Sequence, residues 1–167
     1  MINTEIIKEL ENALSETTAL LAGFSHKELN KVPFKGSWTA GQVGCHLLKS
    51  ETGMDDLLYA PSAPADRNPD QQVQELKDIF LDFSKKFESP DFIIPEDREY
   101  TNEELINSLN RVKENILLAA KNSDLTEIAP LPDGHPFVGN TKLEMVHFVT
   151  YHTIRHNKQI KKIREAV

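Results

Sequence analysis

Apolar positions along the chain recur at intervals of three and four, not two. Ile6, Ile7, Leu10, Ala13, Leu14, Thr17, Leu20 and Leu21 form one stripe, and this spacing predicts an amphipathic helix over residues 3–23. Gly23 and Ser25 supply its stop. A second helix is predicted over 39–59. Thr39-Ala40-Gly41-Gln42 has the form of a capping box, Trp38 stands where it can staple the first turn, and Ala60-Pro61-Ser62-Ala63-Pro64 ends the pattern. Val73, Leu76, Ile79, Phe80, Phe83 and Phe87 predict a third helix over 70–88, closed by Ser89-Pro90-Asp91. Capping boxes at Thr101–Glu104 and Thr141–Glu144 open helices over 101–121 and 141–165.

The segments between these helices are rich in turn formers. Residues 30–37 and 129–136 carry Pro and Gly at positions that forbid a continued helix, and Pro61, Pro64 and Pro69 mark an extended loop. Phe92-Ile93-Ile94-Pro95 is short and apolar, but its proline argues against a ladder strand, so a packed loop is expected. No stretch alternates in the manner of a strand, and no repeat is visible. The fold class is therefore all-α: a four-helix bundle with a long crossover carrying an extra helix, in a single domain over 1–167.

Composition narrows the function classes. The chain has 167 residues, enough to bury a sizeable core. Cys45 is the sole cysteine, so no intrachain disulfide framework and no thiolate-rich zinc site can form. Nineteen Lys and Arg stand against twenty-six Asp and Glu, a net charge of −7, which argues against nucleic-acid or anionic-membrane binding. The N-terminal stretch lacks the apolar run of a signal peptide, and no segment is apolar enough to span a bilayer, so a cytoplasmic protein is expected. What stays open is chemistry built on the six histidines.

His152 and His156 are four residues apart on the last predicted helix, about 40° around its axis, so both imidazoles leave one face. This is how a helix offers two ligands to one ion. His147 lies about 180° from His156 and is excluded from such a site. His46, on the second helix among core positions, is the candidate third ligand, since facing bundle helices stand about 8–10 Å apart. Three neutral imidazoles leave a coordination position open, the pattern of a catalytic site. Such spacing also arises on helix surfaces that bind nothing, and a lone histidine is more often a satisfied side chain. The residues alone leave both readings open.

Two segments carry a resemblance. Gly36-Ser37-Trp38-Thr39-Ala40-Gly41-Gln42-Val43-Gly44-Cys45-His46-Leu47 resembles the stretch that opens the second helix of the DinB/YfiT-like family. The segment from His135-Pro136-Phe137 through His152-x-x-x-His156-x-x-Gln159-Ile160 resembles that family's last loop and helix. The resemblance implies a four-helix bundle with an unusual crossover and one divalent metal ion held by His46, His152 and His156. It also implies chemistry on a small-molecule substrate: relatives include thiol S-transferases of the bacillithiol type and a mycothiol-dependent isomerase.

Imidazole ligands suit zinc, nickel, copper and iron alike, so the metal is not chosen. The expected reaction is attack by water or an external low-molecular-weight thiol on a small electrophile, that is, a hydrolase or a thiol S-transferase. No carboxylate stands out as a general base, which slightly favours the thiol. Ser50 and Gly53 follow His46 on one face and are candidate substrate-binding residues; Arg155 is a candidate for an anionic substrate group. Gly41 and Gly44 read as close helix packing, Cys45 as a small core residue, and Glu51 and Asp55 as a solvated face. The alternative is a non-catalytic bundle serving as a binding or dimerisation module, its metal structural or absent. Exposed bundle faces often pair, so a homodimer is compatible with either reading.

Overall fold

A computed structural model describes residues 4–167. Its elements are α1 (Thr4–Ala22), α2 (His26–Leu29), α3 (Ala40–Glu51), α4 (Met54–Tyr59), α5 (Val73–Phe80), a 3₁₀ turn (Asp91–Ile93), α6 (Asn102–Asn122) and α7 (Lys142–Ala166). The described residues contain no strand; Pro64–Glu127 and Ile128–Thr141 form isolated bridges. α1 and the α3/α4 pair each pack against both α6 and α7, so the order around the bundle is α1, α6, α3/α4, α7. α5 lies outside this ring, on α7.

Local chemistry starts these helices where the pattern predicts. Thr39 accepts from the Gln42 amide while the Gln42 side chain accepts from the Thr39 amide, and Thr141 and Glu144 do the same. Thr101 caps α6 by accepting from the Glu104 amide. Such caps each contribute about 1 kcal/mol. A further box, Ser25 with Glu28, opens the short α2, so Ser25, expected only as part of the stop of the first helix, also starts a new one.

Two predicted helices differ from expectation. The 39–59 helix breaks at Gly53, whose φ of 88° is left-handed and starts α4 on a new axis. The 70–88 helix runs only over Val73–Phe80; past its end the chain turns non-helical, and Arg155 of α7 donates to the carbonyls of Phe80, Asp82 and Lys85. Phe83 and Phe87 therefore leave the stripe and lie exposed under Lys158 and Arg155. The 92–95 segment is loop as expected, with one 3₁₀ turn.

The interior holds two apolar clusters. One gathers Leu10, Leu14, Met54, Leu58, Ile116 and Val149; the other gathers Leu21, Leu47, Leu105, Leu109, Ile160 and Ile163. Between them in register lie buried Thr17, Glu51, Thr153 and Asn157. Thr17 donates to Asn157 Oδ1 (2.6 Å), Asn157 donates to the Ala13 carbonyl (2.9 Å), and Thr153 donates to Glu51 Oε1 (3.1 Å). Glu51 is thus only 2% exposed rather than solvated, and burial pushes its carboxyl up to about 8. It follows Leu47 by four and precedes Met54 by three, which places it on the core stripe.

α3 approaches its neighbours closely through Gly44, where a β-carbon would stand 3.0 Å from Leu21 and 3.2 Å from Leu105. This is the close packing expected of that glycine, and Cys45 beside it is buried as expected. The crossover is tied to the start of α7. Arg67 donates to both Glu144 carboxylate oxygens (2.7 Å each), Thr141 donates to the Pro69 carbonyl (2.5 Å), and buried Lys142 reaches the Ala60 carbonyl (2.7 Å) and Glu127 (2.5 Å).

Candidate metal centre

The helical phase that puts His152 and His156 on one face of α7 aims them at α3, where His46 stands about two turns past the Thr39 cap. His46 and His152 are buried and His156 is half-buried. His152 Nε2 lies 3.2 Å from His46 Nε2 and 3.2 Å from His156 Nε2. One ligand atom from each of the three lies within 4.8 Å of the others.

Two of the three imidazoles are oriented by an acceptor behind them. His46 Nδ1 is 2.9 Å from the Ile93 carbonyl, and His156 Nδ1 is 2.7 Å from Gln159 Oε1. A proton on each Nδ1 would be donated outward to that acceptor, which would leave the Nε2 lone pair facing inward. Aromatic rings hold the planes: Trp38 lies 5.1 Å from the His46 ring, Phe148 stacks on His152 at 5.2 Å, and Phe80 meets His152 edge-on at 6.0 Å.

Burial keeps the cluster uncharged. It lowers His46, which the Ile93 carbonyl partly counters. Burial, with the neighbouring histidines and Arg155, holds His152 well below the ordinary imidazole range. His156 falls to about 3, from burial first and then His46. At neutral pH three uncharged imidazoles therefore converge. One proton on His152 Nε2 can be donated to its neighbours, yet it cannot satisfy three lone pairs that face one another. A single cation satisfies all three. Nitrogens bound at about 2.0–2.1 Å with angles of roughly 90–110° stand about 3.0–3.4 Å apart, and the 3.2 Å contacts match. The residues present therefore fit a divalent ion, with the protein supplying imidazole alone.

The Ser50 hydroxyl donates to the Leu47 carbonyl (3.0 Å), and Gly53 is exposed at the break between α3 and α4. Arg155 spends its guanidinium on the three crossover carbonyls and covers Phe87, so it ties the strap beside the cluster. His147 is buried, and its Nδ1 has no hydrogen-bond partner, in keeping with its exclusion from the cluster. His135 accepts from the Phe137 amide (3.1 Å) in the loop before α7, and His26 pairs with Glu99 at the surface (3.3 Å). Trp38 and Gln159 were not singled out from sequence as neighbours of the cluster. Gln159 did carry a signal, since it lies one turn beyond His156 on the same stripe.

This bundle and its histidine cluster define a class, and sequence comparison agrees. The pattern of the DinB superfamily matches residues 9–160, and the chain belongs to that family. Among similar proteins is one from Bacillus subtilis strain 168, named uncharacterized protein YuaE, 25% identical over 91% of this chain and 93% of its own length. Two from Bacillus cereus, strains B4264 and ATCC 14579, bear the name "putative metal-dependent hydrolase"; each is 26% identical over all of this chain and 87% of its own. No solved structure matches the chain significantly. No helix among the described residues is long and apolar enough to cross a membrane.

Proposed function

We propose that the protein is a metal-dependent enzyme in which His46, His152 and His156 hold one divalent ion and a small electrophilic substrate is attacked beside it. The observation that carries this is the convergence of three uncharged imidazole nitrogens at 3.2 Å contacts in a buried site. When bound, such an ion acts as a Lewis acid and lowers the pKa of a water or thiol. The chain's own part is to hold the ring planes with Trp38, Phe80 and Phe148 and to direct lone pairs inward through Ile93 and Gln159. The aromatic walls also keep bulk water from one side of the site. Hydrolysis is the first reading, supported by the names of the two Bacillus cereus relatives.

A second reading, transfer of an external thiol, is favoured by the makeup of the cluster. It contains histidine and no carboxylate to serve as a general base for water. Cys45 is buried and its Sγ approaches Glu96 (3.5 Å), so the chain offers this reaction no thiol of its own at the cluster.

The test is the metal content of protein purified without a histidine tag, set beside a His152→Ala variant. Stoichiometric metal in the parent and none in the variant is expected. Metal that survives the substitution sinks the assignment. Loaded protein is then assayed on small esters and amides, and on electrophiles with several low-molecular-weight thiols. A loaded protein inert in all of these returns the bundle to a binding or dimerisation module.

A further inference from the structure

His152, His156 and Gln159 occupy positions i, i+4 and i+7 of α7, within about 60° of one another around its axis. The first two point their Nε2 atoms into the cluster, while the third faces the back of His156, with Oε1 2.7 Å from Nδ1. An imidazole that is neutral has one proton for two nitrogens. Free in solution it distributes that proton between them. If the proton sits on Nε2 it points at His152 Nε2 and blocks the lone pair that a cation needs. An acceptor fixed behind Nδ1 moves the proton there. For His46 the same office falls to the Ile93 carbonyl, a backbone group that substitution does not remove. For His156 it falls to a side chain that is itself half-buried and contributes little to the core.

We infer that Gln159 is a positioning residue: it holds His156 as the Nδ1-protonated tautomer and thereby sets how tightly the three-histidine cluster binds a divalent ion. This rests on the metal reading above. Partners of this kind commonly change metal affinity by about 10–100-fold, and the tautomer argument says which substitutions do so. Alanine removes the acceptor. Glutamate keeps it, with no donor to compete.

The experiment uses the full chain with two readouts. In the metal-free parent, ¹⁵N–¹H correlation of the imidazoles is expected to show the His156 proton on Nδ1, and Gln159→Ala to shift it toward Nε2. Zinc competition titration is expected to show a dissociation constant about 10–100-fold higher for Gln159→Ala, and near the parent's for Gln159→Glu. Circular dichroism checks that each variant keeps its helices. The inference is overturned if the parent's His156 carries its proton on Nε2, if Gln159→Ala keeps the parent's tautomer and zinc affinity, or if Gln159→Glu binds as weakly as the alanine variant. A parent that binds no zinc overturns the metal reading, and the affinity half of this inference with it. The tautomer half then stands or falls on the imidazole spectrum from the same sample.

Discussion

α7 carries two buried polar sites that contrast sharply. At its N-terminus the Glu144 carboxylate accepts from both Arg67 nitrogens, from the Thr141 amide and from the Gln72 amide. Burial raises its pKa, but these donors outweigh burial and hold it below the ordinary carboxylate value. Every lone pair there has a donor, and the charge has its counter-charge. Two to three turns further on, the His46–His152–His156 group has acceptors behind it and lone pairs in front, with nothing in the chain to fill the centre. Burial alone does not mark a functional site, since both places are buried. What separates them is satisfaction. The first is complete and fastens the crossover; the second brings together imidazole nitrogens that suit the proposed cation.

The largest expected effect breaks the second site and spares the first. His152→Ala should weaken metal binding by on the order of a thousandfold or more, since it removes a ligand rather than a supporting group. Elemental analysis after dialysis checks this, and the helical circular dichroism signal should persist. The converse break is Glu144→Ala. It strands Arg67 and two amides and is expected to cost about 3–4 kcal/mol in urea unfolding, while the folded fraction keeps its metal. If the two variants lose stability and metal in the same proportion, the contrast fails.

Glu51 sharpens the comparison as an intermediate case, buried with a donor from Thr153 and no cation. Its folded pKa of about 8 lies above the ordinary 4.5 of the unfolded chain. The folded state therefore holds this proton more tightly. The stability it contributes is full below pH 4.5 and drains away as pH rises through 8. At pH 7 the loss approaches about 3 kcal/mol. Glu51→Gln should recover about 2–3 kcal/mol of this at pH 7 and flatten stability between pH 5 and 8. Denaturant midpoints across that range are the measurement, and an unchanged slope with pH counts against the buried acid. The smallest effect is Gly44→Ala. The added methyl meets Leu21 and Leu105, and about 1–2 kcal/mol of stability should be lost. The atoms it meets are terminal methyls of leucine side chains, which yield without moving α3, so zinc binding near the parent's is the expected signature.

The helices that open on side-chain caps were legible because their information is local. Thr39, Thr101 and Thr141 each start a helix where the capping pattern says, and the stripe of α1 buries Ile7, Leu10, Ala13, Leu14, Thr17 and Leu21. The histidine pair was legible for the same reason: helical phase is a property of one segment. Glu51 on α3 and Asn157 on α7 lie on apolar faces too, but polarity hid them, because whether a polar residue on an apolar face is buried depends on the partner opposite.

Position 53 shows where locality ends. The pattern reads as one helix over 39–59 with Gly53 on the face of His46, yet the chain breaks there with φ of 88° and α4 packs on α6 along a new axis. The end of α5 at Phe80 was equally invisible, and Arg155, which donates to the Phe80 and Asp82 carbonyls, lies some seventy residues downstream. By itself the sequence determined the all-helical class, the caps, the shared face of His152 and His156 and the absence of any chain thiol framework. The tertiary structure alone decided that His46 Nε2 comes within 3.2 Å of His152, that the Ile93 carbonyl and Gln159 Oε1 stand behind His46 and His156, and that burial pushes the imidazoles below their ordinary range. Those facts depend on distances between segments a hundred residues apart and on the water they exclude together, which no local pattern encodes.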